Sequence, residues 1–211
     1  THLPVSDAAD PAWTREQISR FRAVAADVQE AAGRKLLVHG ANSGAVLGHE
    51  SVWLDMVRPG IMVYGFRPDP ATPDTIPLRP GMSLLTRISF LKKVSAGTSI
   101  GYGRTWVASR DTFIATIPAG YADGFNRLFS NRGRVLIGGR SYPLVGRVCM
   151  DQSMVDLGEE TDVAVGDEVV LIGRSGEAEI RCEEWAERLR TITYEVTCQI
   201  SPRVTRVYDP Y

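Results

Sequence analysis

The chain has 211 residues, of which 44% are hydrophobic and 23% charged, a balance typical of a globular protein with a sizeable core. Its net charge of −1 and its pI of about 6.3 provide no basic field for nucleic acid or an anionic membrane. No run approaches the roughly 18 apolar residues that a membrane-spanning helix needs, and the first residues lack a signal-peptide pattern. We therefore expect no nucleic-acid partner, no membrane partner and a cytoplasmic location.

The cysteines carry little information about chemistry. Cys149, Cys182 and Cys198 are odd in number and widely spaced, and no Cys-x-x-Cys or Cys/His cluster is present. This spacing argues against a disulfide framework and against a zinc site. We expect no metal and a reducing compartment.

The first elements in chain order follow the alternation of a β/α repeat. Residues 14–17 have the capping-box pattern Thr-Arg-Glu-Gln, and apolar residues then recur at helical spacing until Gly33, which predicts an amphipathic helix. The apolar run 35–39 predicts a strand that leads into the segment His39-Gly-Ala-Asn-Ser43. In β/α folds ligands bind at the C-terminal ends of strands, so this segment is a candidate binding loop.

Prolines mark the boundary between two domains. Residues 67–80 contain five prolines, too many for a helix or a central strand, which predicts a linker between domains at 1–66 and 81–211. Gly138-Gly139 predicts a hairpin turn. Short runs of β type follow the linker at 84–94, 112–117, 134–137, 141–148, 153–157 and 168–172, with a single helix at 183–189 and a last strand at 204–208. The predicted fold class is α/β plus β.

Three short segments combine small residues with one polar side chain each. His39 to Ser43 and Val57-Arg58-Pro59-Gly60-Ile61 offer a hydroxyl, an arginine and backbone N–H groups that suit a phosphate. Residues 100–103 place the phenol of Tyr102 between glycines. Taken singly, each feature has a more common structural explanation: the glycine-containing segments as turns, Arg58 as a surface arginine and His39 as a hydrogen-bonded core histidine. Together they indicate an enzyme that uses pyridoxal phosphate.

A tyrosine works as a base near neutral pH only if cations or hydrogen bonds lower its pKa from about 10. Tyr102 therefore needs such surroundings, which its local sequence does not supply. Tyr121 in Gly-Tyr-Ala-Asp-Gly and Met150 in Arg-Val-Cys-Met-Asp-Gln lie in further polar, glycine-containing loops. Tyr194 suits either a strand edge or a phosphate ligand, and local sequence leaves both open.

Taken in order, these motifs resemble those of the alanine racemase family, fold-type III pyridoxal-phosphate enzymes. The shared motifs are Thr1-His-Leu, His-x-Ala-Asn-Ser at 39–43, Val-Arg-Pro-Gly-Ile-Met-Val-Tyr-Gly at 57–65, Gly-Tyr-Gly at 101–103, Gly-Tyr-Ala-Asp-Gly at 120–124, Arg-Val-Cys-Met-Asp-Gln at 147–152 and Tyr-Glu-Val at 194–196. The resemblance covers essentially the whole chain. It implies that 1–66 is the late part of a TIM-type β/α barrel and that 81–211 is a mainly antiparallel β domain.

The resemblance implies that pyridoxal phosphate is the cofactor and that L-alanine and D-alanine are interconverted to supply D-alanine for peptidoglycan. Tyr102 corresponds to the base on the L-alanine face, and Arg58 to the side chain that hydrogen-bonds the pyridine nitrogen. His2 and His39 correspond to the histidines that flank this arginine, in a hydrogen-bonded line from Tyr102 through His2 and Arg58 to His39. His49 has no counterpart and is expected to be a solvated surface residue.

The remaining site residues are also implied by the resemblance. The phosphate ligands correspond to Ser43, the backbone of Gly60 and Ile61, and Tyr194. The substrate side corresponds to Met150, its neighbour Asp151, and Tyr121, whose phenol narrows the entrance.

One departure from the family is large. The lysine that carries the cofactor lies in the family in a Lys-Ala-Asn-Ala-Tyr-Gly type motif, which this sequence lacks; Lys35, Lys92 and Lys93 have other surroundings. Thr1-His-Leu corresponds to a late barrel strand, so this chain alone is expected to be incomplete and inactive, with a separate N-terminal fragment as a further partner.

The resemblance also implies an assembly. In the family two subunits pack head to tail, so Tyr102 and Arg58 of one chain are expected to serve different active sites of a homodimer. Two alternatives stay open at this point, a racemase of broader amino-acid specificity and a fragment that binds pyridoxal phosphate without catalysis.

Overall fold

A computed structural model of the protein describes residues 1–208, which form two compact units. The first unit comprises Thr1–Gly81 together with Ile192–Tyr194. The second comprises Met82–Thr191 and continues from Glu195. Over the described residues, no helix has the length and apolar character needed to cross a membrane.

Helix α1, Ala12–Ala32, opens the first unit. It ends as predicted at Gly33, whose φ of +60° is in the left-handed region that favours glycine. The predicted start at Thr14 is wrong, because the Ala12 N–H donates to the Asp10 carboxylate at 2.9 Å and the helix begins there. The buried Thr14 hydroxyl instead donates to the Val5 carbonyl at 3.1 Å.

Two short parallel strands follow in this unit, β1 (His39–Ala41) and β2 (Met56–Val57), with helix α2 (Ser43–Gly48) between them. The predicted strand at 35–39 therefore begins only at its last residue. Short 3-10 helices occupy Glu50–Val52 and Ile61–Tyr64. A small core holds the unit together, made of Leu3, Ile18, Ala41, Ala45, Val46 and Val52. The assignment of this unit to a β/α barrel and of 67–80 to a linker remain predictions.

The expectation that His49 is solvated is wrong. Its side chain is only 9% exposed. Burial lowers the pKa of His49, and the nearby charge of Arg15 acts in the same direction, although a hydrogen bond with the Ser6 backbone opposes them. The neutral ring is therefore favoured, and His49 belongs to the packing at the end of α2.

The second unit consists mainly of antiparallel strands. Among the described residues it contains β3 (Leu84–Arg87), β4 (Phe90–Val94), β5 (Ser99–Ile100), β6 (Trp106–Val107), β7 (Thr112–Ile117), β8 (Arg134–Ile137), β9 (Arg140–Val145), β10 (Ser153–Gly158), β11 (Glu168–Ser175), β12 (Ala178–Ile180) and helix α3 (Cys182–Leu189). Helix α4 (Thr193–Gln199) begins in the first unit and continues here. The predicted last strand at 204–208 is wrong, since these residues form neither strand nor helix.

Within the described residues, eight strands form one curled sheet. Seven of them follow the order β12-β11-β8-β9-β10-β7-β4. The eighth, β3, pairs with β11 on the side opposite β8. The run 84–94, predicted as one strand, is thus two strands that pair with opposite ends of the sheet. It bends at Ile88, whose N–H donates to Asp167, while the next N–H, from Ser89, donates to Thr116 of β7. The turn at Gly138-Gly139 is confirmed, because Ile137 pairs with Arg140 and both glycines have positive φ.

Two buried clusters support the loops at one end of this sheet. Val94, Ile100 and Val145 belong to a cluster against which Trp106 packs. The rings of Phe125, Phe129 and Trp185 form the other, with centroids 4.7 to 5.3 Å apart. Aromatic rings at such distances gain from both apolar burial and quadrupole contacts.

Candidate active site

The parallel pairing of β1 and β2 brings His39 and Arg58 together. The Arg58 N–H donates to the Ala41 carbonyl at 2.8 Å, which extends the pairing by one residue beyond β2. The guanidinium then contacts Nδ1 of His39 through one nitrogen and donates to the Thr1 carbonyl at 2.7 Å through another. Arg58 is therefore held in place by its own backbone and by two neighbours. Its fixed charge lies at the C-terminal end of the strand pair.

Ser43, the first residue of α2, gathers backbone donors from the segment after β2. Its Oγ accepts from the Gly60 N–H at 2.8 Å and from the Met62 N–H at 3.4 Å. The side chain of the preceding residue, Asn42, caps α2 by accepting from Ala45 N–H at 3.1 Å. The cap fixes the start of the helix and thereby the position of the Ser43 hydroxyl.

Tyr194 completes this group within the same unit. Burial raises the pKa of its phenol and the charge of Asp7 acts in the same direction, whereas a hydrogen bond with the Ser43 side chain opposes them. The net rise in pKa keeps the phenol protonated near neutral pH. Two hydroxyls, from Ser43 and Tyr194, and the Gly60 N–H therefore lie at one place.

This donor set fits two of the acceptor groups of pyridoxal phosphate. Hydroxyls and backbone N–H groups are ordinary phosphate ligands. A Cβ built on Gly60 would lie 3.7 Å from Oγ of Ser43, so any side chain at position 60 would occupy space beside that hydroxyl. Arg58 offers a permanently protonated donor, which suits the unprotonated pyridine nitrogen. Ile61 follows Gly60 with a buried side chain that anchors the turn.

The predicted line of side chains is observed in part. The contact between Arg58 and His39 is present, while His2 is exposed and makes no hydrogen bond through its ring among the described residues. The rest of the line stays a prediction.

The structure also places the three lysines that were considered for the missing cofactor lysine. Lys35 pairs with Asp55 at 3.4 Å, and Lys92 and Lys93 are exposed on β4.

Tyr102 lies in a tight turn of the second unit. Gly101 and Gly103 on either side have φ of +75° and +71°, values that a side chain would strain. A Cβ at Gly103 would also lie 3.2 Å from the Arg147 guanidinium carbon. The turn thus projects a phenol that is 73% exposed from a backbone packed against Arg147.

The residues predicted for the substrate side line one cavity with Tyr102. Its volume is about 570 Å³, and it is lined by Tyr102, Tyr121, Arg127, Arg147, Val148, Cys149, Met150, Asp151 and Gln152. The structure therefore groups four predicted residues and adds two arginines. Arg147 begins a motif that the sequence singled out, but nothing in the sequence marked Arg127. These arginines make no ion pair among the described residues, so the cavity is suited to a carboxylate.

Backbone hydrogen bonds join the two loops that carry Tyr121 and Met150. The Tyr121 N–H donates to the Cys149 carbonyl and the Ala122 N–H donates to the Met150 carbonyl, both at 3.0 Å. Gly120 permits this approach, because a Cβ there would lie 2.3 Å from the Met150 oxygen. Because Gly120 has no side chain, the loops that carry Tyr121 and Met150 can lie side by side.

Sequence reasoning missed Arg203, which binds both loops. Its guanidinium lies 2.6 Å from the Asp151 carboxylate and 3.4 Å from that of Asp123. The other oxygen of Asp123 accepts from the Gly120 N–H at 2.9 Å. Hydrogen bonding to Asp151 and the charge of Asp123 raise the pKa of Arg203. No sequence signal marked Arg203, because it lies about 50 residues beyond the second loop.

Comparison with known families gives matches over nearly the whole chain. Residues 81–208 match the family model for the alanine racemase C-terminal domain, and residues 1–68 match that for the alanine racemase N-terminal domain. An alanine racemase of Cutibacterium acnes is 50% identical over 209 residues, covering 99% of this chain and 56% of the relative. One of Halothermothrix orenii is 46% identical over 208 residues, with coverages of 99% and 55%.

Solved structures give the same result. An alanine racemase from a D-cycloserine-producing Streptomyces lavendulae has a TM-score of 0.90 at 39% identity, covering 100% of this chain and 55% of that one. The enzyme of Bartonella henselae, solved with covalently bound pyridoxal phosphate, has a TM-score of 0.85 at 30% identity, with coverages of 99% and 55%. The chain thus spans about half the length of the relatives it matches. None of these comparisons supports a separate N-terminal fragment.

Proposed function

This chain belongs to the alanine racemase family, and we propose on that premise that the protein interconverts L-alanine and D-alanine with pyridoxal phosphate as its cofactor. The observation that carries the proposal is the single cavity shared by Tyr102, Tyr121, Met150 and Asp151. An amino-acid racemase needs a phenol or another base that can take a proton and cations that can hold a carboxylate. Arg127 and Arg147, which form no ion pair within residues 1–208, would serve as those cations. The product D-alanine would supply peptidoglycan synthesis.

The first unit would hold the cofactor. Ser43, Tyr194, Gly60 and Ile61 would bind the phosphate, and Arg58 would donate to the pyridine nitrogen. When bound, pyridoxal phosphate withdraws electrons from the α-carbon of an amino acid and so makes its proton removable. A guanidinium does not give up its proton in proteins, so Arg58 would donate a hydrogen bond without transferring a proton. It thereby limits the electron withdrawal, which favours return of the α-proton over transfer of the amino group.

Tyr102 would remove and return that proton on the L-alanine face. The base in this step is the phenolate, which a nearby cation would stabilise. Arg147 packs against the turn of Tyr102 and lines the same cavity. In the proposed homodimer the line through His2, Arg58 and His39 of the other subunit would add a second cationic neighbour. The proton on the D-alanine face would be handled by the family's cofactor lysine, which matches no lysine of this chain.

The test is made on the native protein loaded with pyridoxal phosphate. The 211 residues alone are still expected to be inactive, whereas in the native protein with the cofactor lysine supplied we expect turnover of L-alanine to D-alanine. Tyr102→Phe should lower kcat/KM by at least about 100-fold, the scale of a lost acid-base group. Tyr142→Phe is the matched control, a tyrosine of β9 that lies outside this cavity. Equal rates for the wild type and Tyr102→Phe would refute the assigned base. Serine and lysine, offered as substrates in the same assay, distinguish an alanine racemase from one of broader specificity.

The proposed head-to-tail homodimer places Tyr102 and Arg58 of one chain in different active sites. Subunits carrying Tyr102→Phe and subunits carrying Arg58→Ala are each expected to be inactive as homodimers. When the two are mixed and reassembled, each mixed dimer should regain one intact site. Failure of the mixture to exceed either homodimer would contradict the sharing of sites.

A further inference from the structure

The side chains of Ser130 and Asn131 hold the loop that carries Arg147. The Ser130 hydroxyl accepts from the Val148 N–H at 3.0 Å, and Oδ1 of Asn131 accepts from the Gly146 N–H at 2.6 Å. Alternate N–H groups of the loop are therefore bound by two consecutive side chains. The Asn131 N–H also donates to the Gly146 carbonyl at 3.2 Å, so Gly146 is bound on both its donor and its acceptor.

The amide of Asn131 also reaches the turn that carries Tyr102. Its Nδ2 donates to the Thr105 hydroxyl at 3.1 Å and approaches the Thr105 carbonyl at 3.4 Å. Thr105 ends the 3-10 turn that begins at Tyr102. One side chain therefore binds Gly146, the residue before Arg147 of the cavity, with its oxygen and the end of the Tyr102 turn with its nitrogen.

The two bound segments are also in van der Waals contact. A Cβ on Gly146, whose φ is +75°, would lie 2.8 Å from the Ile100 carbonyl oxygen just before the turn. A Cβ on Gly101 would lie 3.2 Å from the Arg147 nitrogen. The backbones are close enough to exclude side chains. A small shift of Gly146 must therefore move the turn of Tyr102.

The backbone of Asn131 has a conformation that few residues with a side chain adopt without strain. Its φ is +57°, in the left-handed region that asparagine tolerates better than most residues with a side chain. Glycine would adopt this conformation with less strain, but it would provide neither of the two side-chain hydrogen bonds. The side-chain contacts give a physical reason for asparagine at a backbone site that otherwise suits glycine.

We propose that Asn131 is a positioning residue for Tyr102, coupling the turn of the proposed base to the Gly146-Arg147 segment, of which Arg147 lines the cavity. The inference rests on the proposed function, because the quantity that it controls is proton transfer on the L-alanine face. Catalytic groups lose activity steeply when they are displaced by about 1 Å. Asn131 is not among the residues that line the cavity, so it would act through the segments that its side chain binds.

The test uses Asn131→Gly and Asn131→Asp in the native protein. Asn131→Gly keeps the left-handed backbone and removes both side-chain bonds, and we expect kcat/KM for alanine to fall by about 10-fold or more. Asn131→Asp keeps an acceptor for the Gly146 N–H but loses the amide donor, so an intermediate loss is expected. Arg190→Gly is the matched control, also at a left-handed position (φ +55°) and away from this cavity.

Isotope effects with deuterated alanine distinguish a displaced Tyr102 from a general loosening of the active site. No variant changes the equilibrium between the enantiomers, so kcat/KM falls equally in both directions. With α-deuterated L-alanine the isotope effect should rise in Asn131→Gly, because removal of that deuteron by Tyr102 becomes more rate-limiting. With α-deuterated D-alanine it should fall, because the other base removes that deuteron. Parallel changes in the two directions, or no change, would overturn the proposal.

Amide hydrogen exchange tests the positioning role of Asn131 separately from the proposed racemase function. Exchange at the Gly146 N–H should accelerate in Asn131→Gly and stay slow in Asn131→Asp, whether or not the protein racemises alanine. A wild-type protein without turnover would overturn the proposed function, and the positioning role with it, while accelerated exchange would still show that Asn131 holds Gly146. An active wild type with unchanged exchange in Asn131→Gly would overturn the positioning role only.

Discussion

The hydroxyl of Ser43 accepts a 2.8 Å hydrogen bond from the backbone N–H of Gly60, although 17 residues separate the two. This bond joins the start of α2 to the turn after β2. The phenol of Tyr194 is hydrogen-bonded to the same Ser43 side chain. A single hydroxyl thus organises the donors that we assign to the phosphate.

Ser43→Ala should therefore weaken cofactor binding by at least the contribution of one hydrogen bond to the phosphate. Hydrogen bonds to charged groups contribute about 1.5–3 kcal/mol, which corresponds to a roughly 10-fold to 100-fold rise in the Kd of pyridoxal phosphate. Titration of the native protein with the cofactor, followed by absorbance, measures the Kd. Ser19→Ala is the control, because Ser19 is exposed on α1. Equal affinity in Ser43→Ala and Ser19→Ala would remove Ser43 from the phosphate site.

Arg203→Met should raise the KM for alanine and change kcat less. Without the guanidinium, the carboxylates of Asp123 and Asp151 repel each other, and Asp151 faces the cavity without a counter-charge. We expect a rise of about 2-fold to 5-fold, the range of an exposed ion pair. The effect should shrink in salt near about 1 M, where the screening length is about 3 Å. A KM that is unchanged at low salt would contradict this role.

Arg134→Met should destabilise the fold in a pH-dependent way. Arg134 donates to both carboxylate oxygens of Glu184, at 2.8 and 2.5 Å, and the loss should be about 2 kcal/mol at neutral pH. Burial alone would raise the pKa of Glu184, but the hydrogen bonds and charges of Arg134 and Arg188 outweigh burial and lower it. Ionised Glu184 thus stabilises the folded state above the unfolded pKa of about 4.3, and that stability is lost as the pH falls through the lower folded pKa.

Urea denaturation of the native protein at several pH values measures this contribution. The difference between the wild type and Arg134→Met should shrink as the pH falls below about 4.3. Arg174→Met is the control, since the Arg174 side chain in its pair with Glu179 is 77% exposed and its removal should change stability by less than about 0.5 kcal/mol. A difference that stays constant down to acid pH would show that the pair contributes through packing and not through charge.

The cysteines should react with an alkylating reagent in a fixed order. Cys198 is exposed and should react first. Burial raises the pKa of Cys149, so its thiolate is scarce near neutral pH and it should react second. Burial, with the charge of Glu183, raises the pKa of Cys182 to about 12, so this thiol should react only after unfolding. Peptide mass spectrometry over a time course gives the order, and early labelling of Cys182 would contradict the described core.

Local patterns were sufficient for only part of the elements, and the prediction of a single helix after the linker is wrong because α4 follows α3. Apolar periodicity located α1 and α3, and alternation with glycine turns located β7, β8, β10 and β11 close to their observed bounds. Local patterns failed at 84–94, where one continuous β-type run became two strands. The bend at Ile88 results from pairing with β11 and β7, which are distant in sequence. Local sequence cannot report such pairings.

The sequence by itself determined the family, the cofactor chemistry and the candidates from Ser43 to Tyr194, because these depend on residue types at short spacings. Only the tertiary structure decided which side chains support them. Asn131, Arg147 and Arg203 come from separate segments and meet around the loops of one cavity through sheet pairing and chain reversals. Hydrogen bonds and ion pairs act over a few ångströms in space, whereas a sequence pattern records distance along the chain.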